Sequence, residues 1–202
     1  MKNLIHIQIM MMSILFVTPA FAANPFLDAK DDKPVSANLR GTEWNDENTQ
    51  GEIPLTARVV TTRIAQMSWG SIFKSEFVDL KSHAKERREI RPLYFIVTDD
   101  RIVLLNEENN DAAAKKISAM EKPPEFQQSD IRAIANGKLN FEEGPYTTKL
   151  EVKGDECTYL SSHNSGHYSK FVWKKGVGLV EHASNYGAMK DGFRLKWAVP
   201  KK

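Results

Sequence analysis

Cysteine is nearly absent from this chain, since Cys157 is the single one among 202 residues. One thiol forms no internal disulfide, so packing alone has to hold the fold together. Small extracellular domains that lack a large core are usually rich in disulfides, and this sequence does not belong to that class. A lone thiol in a protein interior behaves as a small apolar side chain.

An excess of charge of one sign is also missing. The chain has 28 Lys and Arg against 26 Asp and Glu, which leaves a net charge of +2. Nucleic-acid-binding domains carry a strong basic balance, and binding to an anionic membrane surface also depends on basic clusters. The composition therefore predicts no nucleic-acid partner, and it makes no electrostatic case for a membrane surface.

Recognisable catalytic motifs are absent as well. The sequence has no G-x-S-x-G nucleophile motif and no glycine-rich nucleotide loop between a strand and a helix. Acidic pairs such as Asp99-Asp100 and Glu142-Glu143 fall in turns, where carboxylates commonly make local hydrogen bonds. We expect a protein without catalytic activity. A hydrolase-type enzyme stays open as the alternative, either with Cys157 beside a nearby histidine or with two acids that converge in a cleft.

Long hydrophobic runs are confined to the N-terminus. Lys2 precedes an apolar run from Leu4 to Val17, and small residues follow at Ala20 and Ala22. This three-part layout is typical of a secretory signal peptide, whereas a membrane-spanning helix needs about 20 apolar residues. We predict cleavage after Ala22, so the mature protein is periplasmic or secreted and has no membrane span.

The sequence after the predicted signal peptide has two parts that differ in composition. Residues 23–52 are largely charged and polar, which predicts a flexible N-terminal arm. The alternative is an irregular segment that Phe26, Leu27 and Trp44 pin to the domain. Residues 53–202 are predicted to form a single domain.

Strand and helix patterns both occur in that domain. β-branched residues from Thr56 to Ile64 predict a strand, and Pro92–Leu105 predicts a hairpin with both faces covered. Ala112–Glu121 has helical periodicity, and Asn109 or Asn110 is suited to cap its start.

The last third alternates apolar and polar residues between glycine-containing turns, as in Phe193–Trp197, which predicts an antiparallel meander. The fold class we predict is therefore α+β. It is mostly antiparallel sheet, with one or two inserted helices, and the sheet can curl into a half-barrel around the first helix.

Four potential zinc ligands fall within a short stretch: Cys157, His163, His167 and His182. Zinc is bound by thiolate and imidazole in a tetrahedral arrangement. The residues between His163 and His167 are Asn, Ser and Gly, which favour a loop over a helix. Zinc is the one cofactor that the sequence suggests, and the alternative is that these histidines are simply solvated.

The loop Ser161–Tyr168 carries hydrogen-bonding side chains of several kinds between two predicted strands. Recognition surfaces are often loops on a rigid scaffold. We predict that the ligand or partner is bound by residues of this loop and the following strand, namely His163, Ser165, His167, Tyr168 and Trp173.

Ser165-Gly166-His167-Tyr168, followed by Val172-Trp173, resembles the Ser-Gly-x-x-Tyr loop of periplasmic lysozyme inhibitors, which are small β-barrels. The spacing differs by one residue. The resemblance implies that Ser165 would enter the cleft of an enzyme.

Together these patterns predict an exported, non-catalytic protein of the cell envelope that binds a small ligand or a protein partner. An enzyme, an enzyme inhibitor and a zinc-binding domain are the alternatives. Aromatic residues of the last strands, such as Phe171 and Trp173, are core residues or line a pocket for an apolar ligand.

Overall fold

The structure is a computed structural model that describes residues 24–27, 33–45, 51–84, 89–187 and 191–198. The predicted signal peptide at residues 1–22 lies outside this described part of the chain. Within the described ranges, no helix is both long enough and apolar enough to cross a membrane.

Antiparallel strands dominate, and the described residues contain one α-helix and one short 3₁₀ turn. In chain order the elements are β1 (Val35–Trp44), β2 (Ile53–Met67), β3 (Gly70–Ser82), β4 (Leu93–Val97), β5 (Arg101–Leu105), α1 (Asn110–Ser118), the 3₁₀ turn (Gln128–Asp130), β6 (Ile131–Ile134), β7 (Lys138–Glu143), β8 (Tyr146–Lys153), β9 (Glu156–His163), β10 (Tyr168–Lys174), β11 (Gly178–Tyr186) and β12 (Asp191–Trp197).

All twelve strands belong to one sheet, in the order β6-β5-β4-β3-β2-β1-β12-β11-β10-β9-β8-β7. The first six strands form one meander and the last six form another. The pairing of β1 with β12, in register from Leu39 opposite Trp197 to Trp44 opposite Gly192, joins the two.

The sheet curls until strands far apart in this order pack face to face. The rings of Phe95 on β4 and Trp173 on β10 pack edge to face, with 5.0 Å between their centroids. The outermost strand β6 lies against β8 and β9, and the Val152 amide donates to the Gly137 carbonyl at 3.0 Å. The result is a nearly closed barrel, which confirms the predicted antiparallel, curled α+β fold.

Aromatic side chains line the interior. Phe95, Phe171, Trp173, Phe193 and Leu195 are all buried there. Burying such a side chain contributes about 1.5–3 kcal/mol each, so a chain without disulfides is held by this packing.

The helix α1 lies on the outer face of the sheet. Tyr94 donates to the Asp111 carboxylate at 2.5 Å, whereas its neighbour Phe95 points inward, because successive strand residues face opposite sides. The helix spans Asn110–Ser118, so it begins two residues and ends three residues earlier than predicted. Of the two predicted caps, Asn109 is the one used, and its side chain accepts from the Ala112 amide at 3.0 Å. The prediction that the sheet curls around the helix is wrong, because aromatic rings already occupy the inner face.

Within residues 23–52, which were predicted to form a flexible arm, the described segment Val35–Trp44 is strand β1, paired on both sides with β2 and β12. Ala37 and Leu39 are buried and alternate with exposed outward residues such as Asn38. Phe26 and Leu27 are buried as well. Composition alone missed this strand because its outward half is polar and its inward residues are few.

We predict that Leu39→Ala lowers the free energy of unfolding by about 2–5 kcal/mol, because it opens a cavity in the core. The matched variant Asn38→Ala, on the outer side of the same strand, is expected to change it by less than about 0.5 kcal/mol. Urea denaturation measures both, and equal effects would contradict the assignment of β1 to the core.

Candidate functional site

The loop between β9 and β10 lies at one end of the barrel and forms a tight turn. The Gly166 amide donates to the His163 carbonyl at 2.9 Å, and the His163 amide donates to the His167 carbonyl at 2.8 Å. Gly166 has a φ of +88°, a conformation that glycine adopts without a steric penalty.

The side chain of His163 is part of this turn. The Ser165 amide donates to its Nδ1 at 3.0 Å, and the Ser165 hydroxyl lies 2.5 Å from the same atom. Because Nδ1 accepts an N–H bond, the neutral ring carries its proton on Nε2. His163 therefore presents a hydrogen-bond donor, not a free lone pair, at Nε2.

Residues outside the loop hold its tip in place. The Asn185 side chain donates to the Gly166 carbonyl at 2.7 Å and accepts from the Trp44 indole at 3.0 Å. A Cβ atom on Gly187 would lie 2.2 Å from the Ser165 carbonyl oxygen, so only glycine allows the loop to lie this close. The loop is thus fixed against β11 and, through Trp44, against β1.

Four aromatic rings form a continuous row across this end of the barrel, which we call the ring row: Tyr146, His163, His167 and Tyr186. Successive ring centroids are 5.1, 5.9 and 6.1 Å apart. The two tyrosines at its ends are 38% and 52% exposed. The row therefore presents two exposed rings on a preorganised base.

The structure brings three of the five predicted binding residues together, namely His163, Ser165 and His167. Tyr168 follows directly but lies on the outer side of β10, and burial raises the pKa of its phenol. Trp173 is 0% exposed and packs in the core, so its side chain does not lie at this surface.

Tyr146 and Tyr186 are the two ring-row residues that the predicted binding set lacked, and Tyr146 could have been found from the sequence. Tyr146 stands directly opposite His163 in the β8–β9 hairpin. The signal was present, because the Gly154-Asp155 turn fixes the register of this hairpin, and counting outward from it places Tyr146 against His163.

The four predicted zinc ligands are not gathered into one place. Cys157 and His163 lie at opposite ends of β9, six residues or about 20 Å apart. His182 is enclosed by the rings of Phe77, Phe171 and Phe193 at 4.6–5.6 Å. Among the residues described, no group of three or more potential ligands forms, and the turn occupies the His163 Nδ1.

Cys157 lies inside the barrel, opposite Val152 and Trp173 on the neighbouring strands. It is 0% exposed, and burial raises the pKa of its thiol. Since the thiolate is the reactive form, this environment favours an inert side chain.

We predict that a thiol reagent such as dithionitrobenzoate modifies Cys157 at least about 100-fold more slowly in the folded protein than in urea, because the sulfur is reached only by opening the barrel. The matched control is Cys157→Ala combined with Asn164→Cys, which places the one thiol on the exposed loop and should react at once. Rapid labelling of native Cys157 would contradict its burial.

His182 is neutral in the core. Desolvation lowers the pKa of its imidazole to about 3, from an ordinary value of 6.5. As the pH falls below about 6.5 the unfolded chain binds a proton that the folded chain does not bind. The stability that His182 contributes is therefore complete above pH 6.5 and is lost progressively as the pH falls toward 3.

We predict that His182→Phe removes this part of the pH dependence, which is up to about 1.4 kcal/mol per pH unit. Urea denaturation gives the free energy of unfolding at pH 7.5 and at pH 5.0. Between these two pH values the variant should lose less stability than the wild type does. His83→Gln, at an exposed position, is the control and should keep the wild-type slope. Equal slopes for His182→Phe and wild type would show that His182 is accessible to protons.

Comparison of the chain with protein-family models, curated proteins and solved structures found no match.

Proposed function

We propose that this protein is exported to the cell envelope and there, without catalysing a reaction, binds a protein partner through the ring row. One observation carries the proposal, namely that Tyr146 and Tyr186 are exposed at the two ends of a row of rings built on a fixed loop. Export is supported by the sequence layout of residues 1–22.

Exposed tyrosines suit a protein interface. Tyrosine is enriched at protein interfaces and among their energetically dominant residues, because it combines a large apolar area with a hydroxyl group. The loop beneath is held by its own turn, by Asn185 and by the close approach to Gly187. A preorganised surface loses little conformational entropy on binding.

The same geometry supports a non-catalytic role. The Cys157 sulfur is buried with a raised pKa, and the His163 Nδ1 accepts from the Ser165 amide. Neither side chain is placed to act as a nucleophile or a general base on a molecule bound at the ring row.

A second candidate, a carrier of an apolar ligand in the barrel, is favoured by one observation. The Trp173 Nε1 and the His182 Nδ1 are buried without a hydrogen-bond partner among the described residues. An unpaired buried group costs about 1–3 kcal/mol, and a ligand with a polar group would remove that cost.

The proposal is tested by photo-crosslinking in the native envelope. A benzoylphenylalanine at the exposed position 164 is expected to crosslink one protein, identified by mass spectrometry. Tyr146→Ser with Tyr186→Ser should reduce the yield at least about tenfold, because interface tyrosines often contribute 1 kcal/mol or more each. The mature protein recovered from this fraction should begin at Ala23.

The matched control is Ile64→Ser with Met120→Ser, which removes two exposed apolar side chains elsewhere. It should leave the yield unchanged, and an equal loss would refute a role for the ring row. Native mass spectrometry of the exported protein separates the second candidate, since a bound small molecule released on denaturation would favour the carrier.

A further inference from the structure

The outer face of strands β10, β11, β12 and β1 has an uneven charge distribution. Among the described residues, its outward positions carry five cations and one carboxylate. We call this set the basic face: Arg40, Lys170, Lys174, Arg194, Lys196 and the single acid Glu181.

Glu181 lies at the centre of this face and is nearly buried, with a side-chain exposure of 9%. Its carboxylate contacts Lys170 at 3.1 Å, Arg194 at 3.3 Å and Lys196 at 3.7 Å. A buried carboxylate requires paired cations, but one such charge does not neutralise three.

The remaining cations increase the imbalance. Arg40 stands directly opposite Lys196 in the β1–β12 ladder, an arrangement of like charges that destabilises a sheet. The Lys174 ammonium lies 5.2 Å from the centre of the Trp197 ring. Two acids mark the edges of the basic face. Glu156 lies opposite Lys174, and Glu52 accepts a hydrogen bond from Thr42. The surplus of positive charge is therefore concentrated between Glu156 and Glu52.

On strands β2 and β3 of the same barrel, by contrast, two cations are each paired with one carboxylate. There Arg58 pairs with Asp79 at 3.0 Å, and Lys74 pairs with Glu76 at 2.9 Å. The surplus on the basic face is therefore a local property that the overall charge of +2 conceals.

We propose that the basic face docks on a membrane surface that contains anionic phospholipids. Its cations lie on three of the four strands, β10, β12 and β1, and the four strands together are about 14 Å across. Neighbouring cations lie within one Debye length, so they act together on a surface charge. This two-dimensional array matches a sheet of headgroups, whereas a linear polyanion would follow a single row. Trp197, at the rim, is a residue type favoured at membrane interfaces.

Val172 and Val180 are buried at the base of a groove on this face. Together with Lys170, Lys174 and Trp197 they line this groove, which has a volume of about 310 Å³. The docking proposal uses none of the residues of the ring row, so the two proposals can fail separately.

The test is sedimentation of the folded protein with vesicles of phosphatidylglycerol and phosphatidylcholine, against vesicles of phosphatidylcholine alone. Wild type should bind the anionic vesicles at 0.05 M salt and be released at 0.5 M salt. Arg40→Gln with Lys174→Gln and Lys196→Gln should weaken binding on the order of 100-fold, at about fivefold for each charge. This variant leaves Lys170 and Arg194 to pair with Glu181.

The matched control is Arg58→Gln with Lys74→Gln and Lys81→Gln, which removes one arginine and two lysines from β2 and β3. It changes the net charge equally and should bind almost as wild type does. The single variants Arg40→Glu and Arg58→Glu repeat the comparison with the smallest disturbance of the fold, and only Arg40→Glu should weaken binding.

Three results would overturn the proposal. They are a failure of wild type to bind anionic vesicles, an equal loss in the two triple variants, and tighter binding to a DNA duplex or to inorganic phosphate than to the vesicles. Unchanged vesicle binding by Tyr146→Ser with Tyr186→Ser would support a surface separate from the ring row.

Discussion

The pairing of the first described strand with the last is the interaction on which the rest of the structure depends. Strands β1 and β12 join two six-stranded meanders into one sheet. A Cβ atom on Gly41 would lie 1.6 Å from the Arg194 carbonyl oxygen, so the two strands approach as they do only because residue 41 is glycine. Without this pairing each meander would expose an unpaired edge, which is prone to aggregation.

The same pairing also positions the candidate site. It places the Trp44 ring over Gly192, where a Cβ atom would overlap the indole, and within hydrogen-bond distance of Asn185. Asn185 in turn holds the Gly166 carbonyl. The conformation of the β9–β10 loop therefore depends on a strand more than a hundred residues earlier in the chain.

Local signals in the sequence predicted the local structure. The β4–β5 hairpin, the Asn109 cap and the C-terminal meander each depend on neighbouring residues, and all three are confirmed. Strand β1 was missed because its outward residues are polar and its inward apolar residues are few. Arg40 and Lys196 come from distant segments of the chain and become neighbours only in the folded sheet. The net charge of the sequence therefore does not reveal the local cluster of cations that they form.

The difference between local and long-range contacts also explains which of the predicted binding residues lie together in the structure. The hydrogen bonds between His163 and Ser165 are local, and the sequence predicted a binding loop at these residues. Trp173 follows soon after but lies on the inward side of a strand whose partner face, around Phe95, comes from the other meander. Whether an aromatic residue contacts a partner or the core is decided by that long-range packing.

The direction of the strands fixes how the basic face and the ring row are oriented relative to each other. The basic face lies along the sides of β10–β12 and β1, whereas the ring row lies at one end of the barrel. A barrel that docks by its side has its strands running along the membrane, so its end faces sideways, parallel to the headgroups. The ring row would then stay open to a partner moving in or near the same surface, and docking would raise the local concentration of that partner without covering the row.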